Sequence, residues 1–286
     1  MEAGYEALLD LMRRDMAQAE PTYQPTHYWR KCAERLEADL ARAGLKKFRA
    51  SPGPLTHFVP TYTFGALASA PEQLEAIKAG LQDALPPSEK YRAAMDQFLE
   101  GQAHAEADYR VYRASCQERR PFIESVSESV IGEPVGQFEF AGRRFSRSML
   151  NYLLGLNFAK THLEDLPVTT VLEIGGGFGS LGEVLLSDPR NGTFYIDVDI
   201  PPTAVYATYY LRELLGPSRV VDYVQVRDEQ EIELDSLRET GDAAVLPSWL
   251  LPRMAGVVDL FVNFISFPLL VGIPKCVLIE SSASCV

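Results

Sequence analysis

The chain has 286 residues, 47% of them hydrophobic and 23% charged. That excludes a disordered protein and leaves room for a large core in two structural units. Its 27 Lys and Arg against 39 Asp and Glu give a formal charge of −12, which argues against a nucleic-acid backbone as the main partner, because phosphate binding needs clustered cations. Four scattered cysteines, Cys32, Cys116, Cys276 and Cys285, form no CxxC pair; no zinc or disulfide framework is expected, and a reducing cytoplasm fits. The opening Met1-Glu2-Ala3-Gly4-Tyr5 lacks the pattern of a signal peptide. The most apolar stretch, Val257 to Ile279, is interrupted by Asp259, Asn263, Pro268, Pro274 and Lys275, so it reads as buried strands and not as a membrane span.

In chain order, residues to about Arg120 read as mainly helical. From Trp29, apolar positions recur at Cys32, Leu36, Leu40 and Ala43, with Gly44 as a stop. Ser51-Pro52-Gly53-Pro54 and the stretch Leu55 to Gly65 predict a loop. His57, Tyr62 and Phe64 sit in or beside it, either lining a substrate pocket or anchoring the loop on the core. A second helix follows Ser69 and Pro71, with Leu74, Ile77, Leu81 and Leu85 on one face and Pro86-Pro87 ending it. A third starts after Ser88; its stripe of Tyr91, Met95, Phe98, Gln102, Ala105, Tyr109 and Tyr112 is spaced for packing along another helix. Gln137 to Phe140 and Arg143 to Phe145 predict a hairpin turning at Gly142. A Leu-rich buried helix follows from Ser146 to His162.

The pattern then alternates. Thr170 to Ile174 reads as a strand, Leu181 to Leu186 as a helix, Thr193 to Val198 as a strand, and Pro202 to Leu215 as a helix closed by Gly216. Val220 to Val226, Ala243 to Leu246 and Val257 to Phe264 are further strand candidates. Such alternation implies α/β architecture with a parallel sheet.

The chemistry centres on Glu173-Ile174-Gly175-Gly176-Gly177-Phe178-Gly179. Gly175, Gly176, Gly177 and Gly179 allow a tight turn with no side chain between backbone and ligand, at the strand end where open α/β sheets bind ligands. Asp197 and Asp199 follow about 20 residues on, at the end of the second strand, where a carboxylate accepts hydrogen bonds from ribose hydroxyls. Asp199, nearer the strand end, is the preferred ribose ligand; capping of the next helix is the plainer role for either acid. Gly177-Phe178-Gly179-Ser180-Leu181-Gly182 also matches the dinucleotide fingerprint GxGxxG, so NAD(P) stays open. Glu173, inside the strand and beside the turn, favours a ligand carrying an ammonium and a sulfonium over one carrying a pyrophosphate.

The run Val171 to Glu183 resembles class I S-adenosylmethionine-dependent methyltransferases. Further segments resemble, more narrowly, a bacterial sugar O-methyltransferase family. These are Tyr28-Trp29-Arg30, Gly44-Leu45 with Phe48-Arg49, Leu150-Asn151-Tyr152-Leu153, Tyr195 to Pro202, Leu246-Pro247-Ser248-Trp249 and Asp259 to Phe267. The resemblance implies a Rossmann-like methyltransferase sheet over residues 146–286 and a mainly helical cap over residues 1–145. It also implies S-adenosyl-L-methionine as methyl donor and a sugar hydroxyl as acceptor. It departs after Phe267, where too little chain follows for the remaining strands, although Lys275 to Glu280 offers one; a C-terminally truncated sheet with an exposed edge is expected, and with it a degenerate cofactor-binding protein as an alternative.

Asp242, before Ala243, is a candidate for the adenine amino group, or else a turn cap, while Leu246, Pro247 and Trp249 offer an apolar adenine wall. Asn263 and Ser266, at the end of the strand beside the glycine turn, are candidates to orient an acceptor hydroxyl. Among His27, His57, His104 and His162, His57 is the candidate general base. No spacing suggests a metal site. An exposed sheet edge leaves oligomerisation open.

Overall fold

The computed structural model describes residues 3–63, 71–84, 88–164 and 166–264. Eleven α-helices and nine strands are found among them. Helices dominate the first part: α1 (Ala3–Met16), α2 (His27–Ala43), α3 (Pro52–His57), α4 (Pro71–Ala84), α5 (Glu89–Leu99) and α6 (Gln102–Ser115). On α2 the expected stripe is buried at Cys32, Leu36 and Leu40; Thr26 caps its start and Gly44 its end. A hairpin of β1 (Gln137–Phe140) and β2 (Arg143–Ser146) then leads into α7 (Arg147–His162).

The α/β part comprises β3 (Thr170–Ile174), α8 (Ser180–Leu186), β4 (Phe194–Asp199), α9 (Thr203–Leu215), β5 (Val220–Val221), α10 (Tyr223–Val226), β6 (Ile232–Glu233), α11 (Leu234–Thr240), β7 (Ala243–Pro247), β8 (Met254–Ala255) and β9 (Leu260–Val262). Five strands form one sheet in the order β5-β7-β4-β3-β9, every pair parallel. Strands β3, β4 and β7 are covered on both faces, which is why they read as near-continuous apolar runs. The short β6 and β8 pair apart from this sheet. One apolar core runs from Leu8, Met12 and Leu36 through Phe48, Tyr112 and Leu153 to the sheet residues Val171, Ile196 and Val245, so the helical part and the sheet share it.

Several expectations are corrected. Pro52-Gly53-Pro54 does not open a loop: residues 52–57 form α3, because Pro at the first helical positions supplies the right φ and lacks only an amide that needs no partner there. The expected single helix from Ser88 to Tyr112 breaks at Gly101 into α5 and α6. Gly101 has φ +85°, and a Cβ there would fall 2.4 Å from the Tyr62 backbone carbon. Its stripe divides accordingly: Ala105 and Tyr112 are buried, whereas Tyr91 and Phe98 are exposed. Ile77 and Leu81 on α4 are exposed too, so the periodicity there marks no face covered by the described residues. Val220 to Val226 is not one strand: Asp222 caps α10 after two strand residues, with Gln225 completing a capping box. Val257 to Phe264 contributes only the three residues of β9. Ser266, Phe64, Leu85 and the strand expected at Lys275 to Glu280 lie outside the described residues.

Candidate functional site

The glycine turn is built where β3 ends. Gly175 donates to the Val198 carbonyl at 2.8 Å, tying the turn to β4. Gly177 adopts φ +70°, a left-handed conformation that L side chains rarely take. Gly176 is required for space: a Cβ there would lie 2.7 Å from Asp197 Oδ1 and 2.8 Å from the Tyr195 hydroxyl. Register puts Glu173 opposite Asp197, and Asp199 opposite Pro247, so three acids gather around the turn.

A cleft of about 360 Å³ opens over it, within the size range of small-molecule sites. Its floor is Ile174 to Phe178, with Ser180, Val198, Asp199, Ile200 and Thr203. The helical part supplies the opposite wall: Thr22 to Gln24, Tyr28, Trp29 and residues 55–58. Ser148, Asn151 and Tyr152 of α7 line one side, with Ser248, Leu251 and Phe264 completing it. Phe58 sits over the turn, its Cβ 3.6 Å from where a Cβ on Gly177 would be. Among the described residues no Lys or Arg lines this cleft, and Asp199 is the one carboxylate that does.

Asp199 accepts from the Gly177 amide at 3.1 Å through Oδ2 and from the Ile200 amide at 2.7 Å through Oδ1. Each oxygen keeps a second lone pair for a ligand. Burial raises its pKa to about 7. Asp197 is fully buried and does not line the cleft; burial, then the charges of Asp199 and Glu173, push its pKa well up. The Gly176 backbone amide opposes this rise, and neither oxygen has a full hydrogen bond among the described residues. Glu173 is also fully buried. Its Oε1 accepts from the Tyr152 hydroxyl at 2.7 Å and its Oε2 from the Tyr195 hydroxyl at 2.6 Å, and burial holds its pKa near 7 despite them. Glu173 does not itself line the cleft; Tyr152, which does, holds one of its oxygens.

His57 ends α3 and lines the cleft. Both its ring nitrogens are buried without a hydrogen-bond partner. Burial, and secondarily the charge of Arg35, lowers its pKa, which keeps it neutral near pH 7 and able to accept a proton. Asn263 is placed elsewhere: its Nδ2 donates to the Ile174 carbonyl at 2.8 Å, tying β9 to the end of β3, and it does not line the cleft. Asp242 is corrected most plainly. It sits at the start of β7, the opposite end from the glycine turn, where it pairs with Arg219. The Trp249 indole is used internally, donating to the Tyr223 hydroxyl at 3.3 Å. Among the described residues no acidic, His or Cys group forms a metal-binding cluster, and no helix is long and apolar enough to cross a membrane.

Sequence reasoning missed Tyr23 and Gln24 as cleft residues. Tyr28, Trp29, Asn151, Tyr152 and Ser248 stood out in sequence only as marks of resemblance; the fold brings all five to one cleft. Spacing alone gives no such signal, because these residues come from separate parts of the chain. No family model, curated protein or solved structure matches the chain.

Proposed function

We propose that this chain is an S-adenosylmethionine-dependent O-methyltransferase of the class I, Rossmann-like type, acting on a neutral hydroxyl acceptor such as a sugar. The observation that carries the reading is electrostatic. The cleft over the glycine turn has acids on and behind its floor and, among the described residues, no cationic side chain on its lining. Burial and mutual repulsion hold these acids protonated in the ligand-free protein, and a cationic occupant beside them would favour their ionised forms. A dinucleotide would bring a pyrophosphate to the same floor with no Lys or Arg of the described residues to meet it, which counts against the NAD(P) reading despite its GxGxxG match.

S-adenosylmethionine supplies an electrophilic methyl carbon on a cationic sulfur. The chain's own residues hold and align. Asp199 accepts from the ribose hydroxyls, the glycine turn lets the ligand approach backbone, and Ile200 and Leu251 provide an apolar wall for the base. The acceptor lies toward Trp29, Asn151 and His57. Fixing the acceptor oxygen in line is a positioning effect, and His57 takes the hydroxyl proton, a contribution of about 10²- to 10⁴-fold.

Calorimetric titration with S-adenosylhomocysteine, with NADH in a parallel cell, tests this. Binding of the thioether nucleoside alone is expected, and Asp199→Ala should weaken it about 100-fold by removing charge-assisted hydrogen bonds. Binding of NADH alone, or of neither by the folded chain, defeats the reading; the second outcome favours a degenerate protein.

A further inference from the structure

The feature of the cleft least expected from the sequence is what separates it from Glu173. Both carboxylate oxygens of this buried acid are taken by phenols. Tyr195 lies beneath the glycine turn, packed under Gly176 and Gly182, and does not reach the cleft. Tyr152 does: it stands on α7 in the cleft wall, its ring 5.1 Å from that of Phe264. A phenol has one proton to give and lone pairs to offer. The proton of Tyr152 goes to Glu173, so toward any other neighbour its oxygen can only accept. Donation to a carboxylate polarises the hydroxyl and makes it a stronger acceptor. Asp197 and Asp199 stand near enough to add negative potential at this point whenever they are ionised.

We propose that Tyr152 is the group that meets the ammonium of the bound nucleoside, and that Glu173 is a positioning residue that acts through it. The proposal rests on the cofactor reading above. With the ammonium bound and its own proton expelled, Glu173 fixes the direction of the phenol proton and places negative charge behind the oxygen, while the ligand touches only the phenol. The pair then recognises an N–H donor and gives nothing to a nucleoside that lacks the amine.

The test uses two probes, S-adenosylhomocysteine and 5′-methylthioadenosine, which share adenosine and a thioether but differ in the amino-acid part. Each is titrated calorimetrically into the parent chain, Tyr152→Phe, Glu173→Gln and the double variant. Tyr152→Phe is expected to weaken S-adenosylhomocysteine about tenfold and to leave 5′-methylthioadenosine unchanged, the second ligand also reporting that the variant is folded. In the double variant, where no uncompensated buried charge remains to endanger folding, the loss should equal that of Tyr152→Phe alone. The proposal is overturned if Glu173→Gln costs as much in the Tyr152→Phe background as in the parent, because Glu173 would then touch the ligand itself. It is equally overturned if Tyr152→Phe binds S-adenosylhomocysteine like the parent, or weakens both probes alike. A folded parent chain that binds neither probe overturns the cofactor reading and this proposal together, whereas parent binding with an indifferent Tyr152→Phe overturns this proposal alone.

Discussion

Glu173, Asp197 and Asp199 hold protons at a pH where the unfolded chain has released them. Burial raises Glu173 and Asp199 to about 7 and Asp197 well above its ordinary value. Folded-state values above the unfolded ones mean that their contribution is fully present below the ordinary carboxylate range and is lost as pH rises through 7. His57 is shifted down and works the other way, gaining as pH rises through its ordinary range. The ligand-free protein should therefore lose melting temperature through its acids between about pH 5 and about pH 8, and Asp197→Asn should flatten that slope. Thermal unfolding across this range checks it; parallel slopes for parent and variant would refute it. A cationic ligand should expel the same protons, so binding heats near pH 7 should depend on the ionisation enthalpy of the buffer. The alternation of side chains in a strand put Asp197 and Asp199 on one side, and the glycine turn beside them was legible in the sequence. That two tyrosines would occupy Glu173 was not, because one comes from α7 and the other from the neighbouring strand.

At the scale of elements, the centre of the sheet was readable because β3, β4 and β7 are buried on both faces and run as unbroken apolar stretches between turn residues. The helices were read less well where local signals have two meanings. Pro-Gly-Pro punctuates a loop in most settings but started α3 here, and a stripe spaced by threes and fours ran straight through Gly101 although the chain turns there. Helical periodicity states that one face is apolar and not what covers it, as the exposed Ile77 and Leu81 of α4 illustrate. Gly101→Ala should expose the cost of the missed break. It combines a left-handed φ with a collision against the Tyr62 backbone, and a loss of about 3 kcal/mol is expected from strain and overpacking together. Denaturant unfolding measures it; a loss within a few tenths of a kcal/mol of zero would mean that the α5–α6 corner relaxes freely.

Across the whole molecule, the helical part and the sheet are joined by a buried polar knot as well as by the common core. Arg49 and Glu128, both fully buried, form an ion pair. The Arg49 guanidinium lies 4.9 Å from the centre of the Phe178 ring, in the residue between Gly177 and Gly179. Glu128 also accepts from Ser146 at 2.7 Å, while Glu183 accepts from the Ser129 amide at 2.7 Å and from the Tyr210 hydroxyl at 2.5 Å. Removing one member strands the others without compensation. Arg49→Met should cost about 3–5 kcal/mol, and adding Glu128→Gln should recover much of it. Equal instability of the single and double variants would show that the loss comes from packing around Phe178 and not from the orphaned charge.

The cleft has its floor on the strand ends and its facing wall on residues 22–24, 28–29 and 55–58. Anything bound there bridges two stretches of chain far apart in sequence, and so acts as a removable cross-link on the folded state. At a hundred times its dissociation constant such an occupant adds about 2.7 kcal/mol to the free energy of unfolding. The same bridge makes loading and release events of the wall as much as of the floor: slowed amide exchange around Trp29 and Phe58 would mark an occupied molecule as clearly as slowed exchange in the glycine turn.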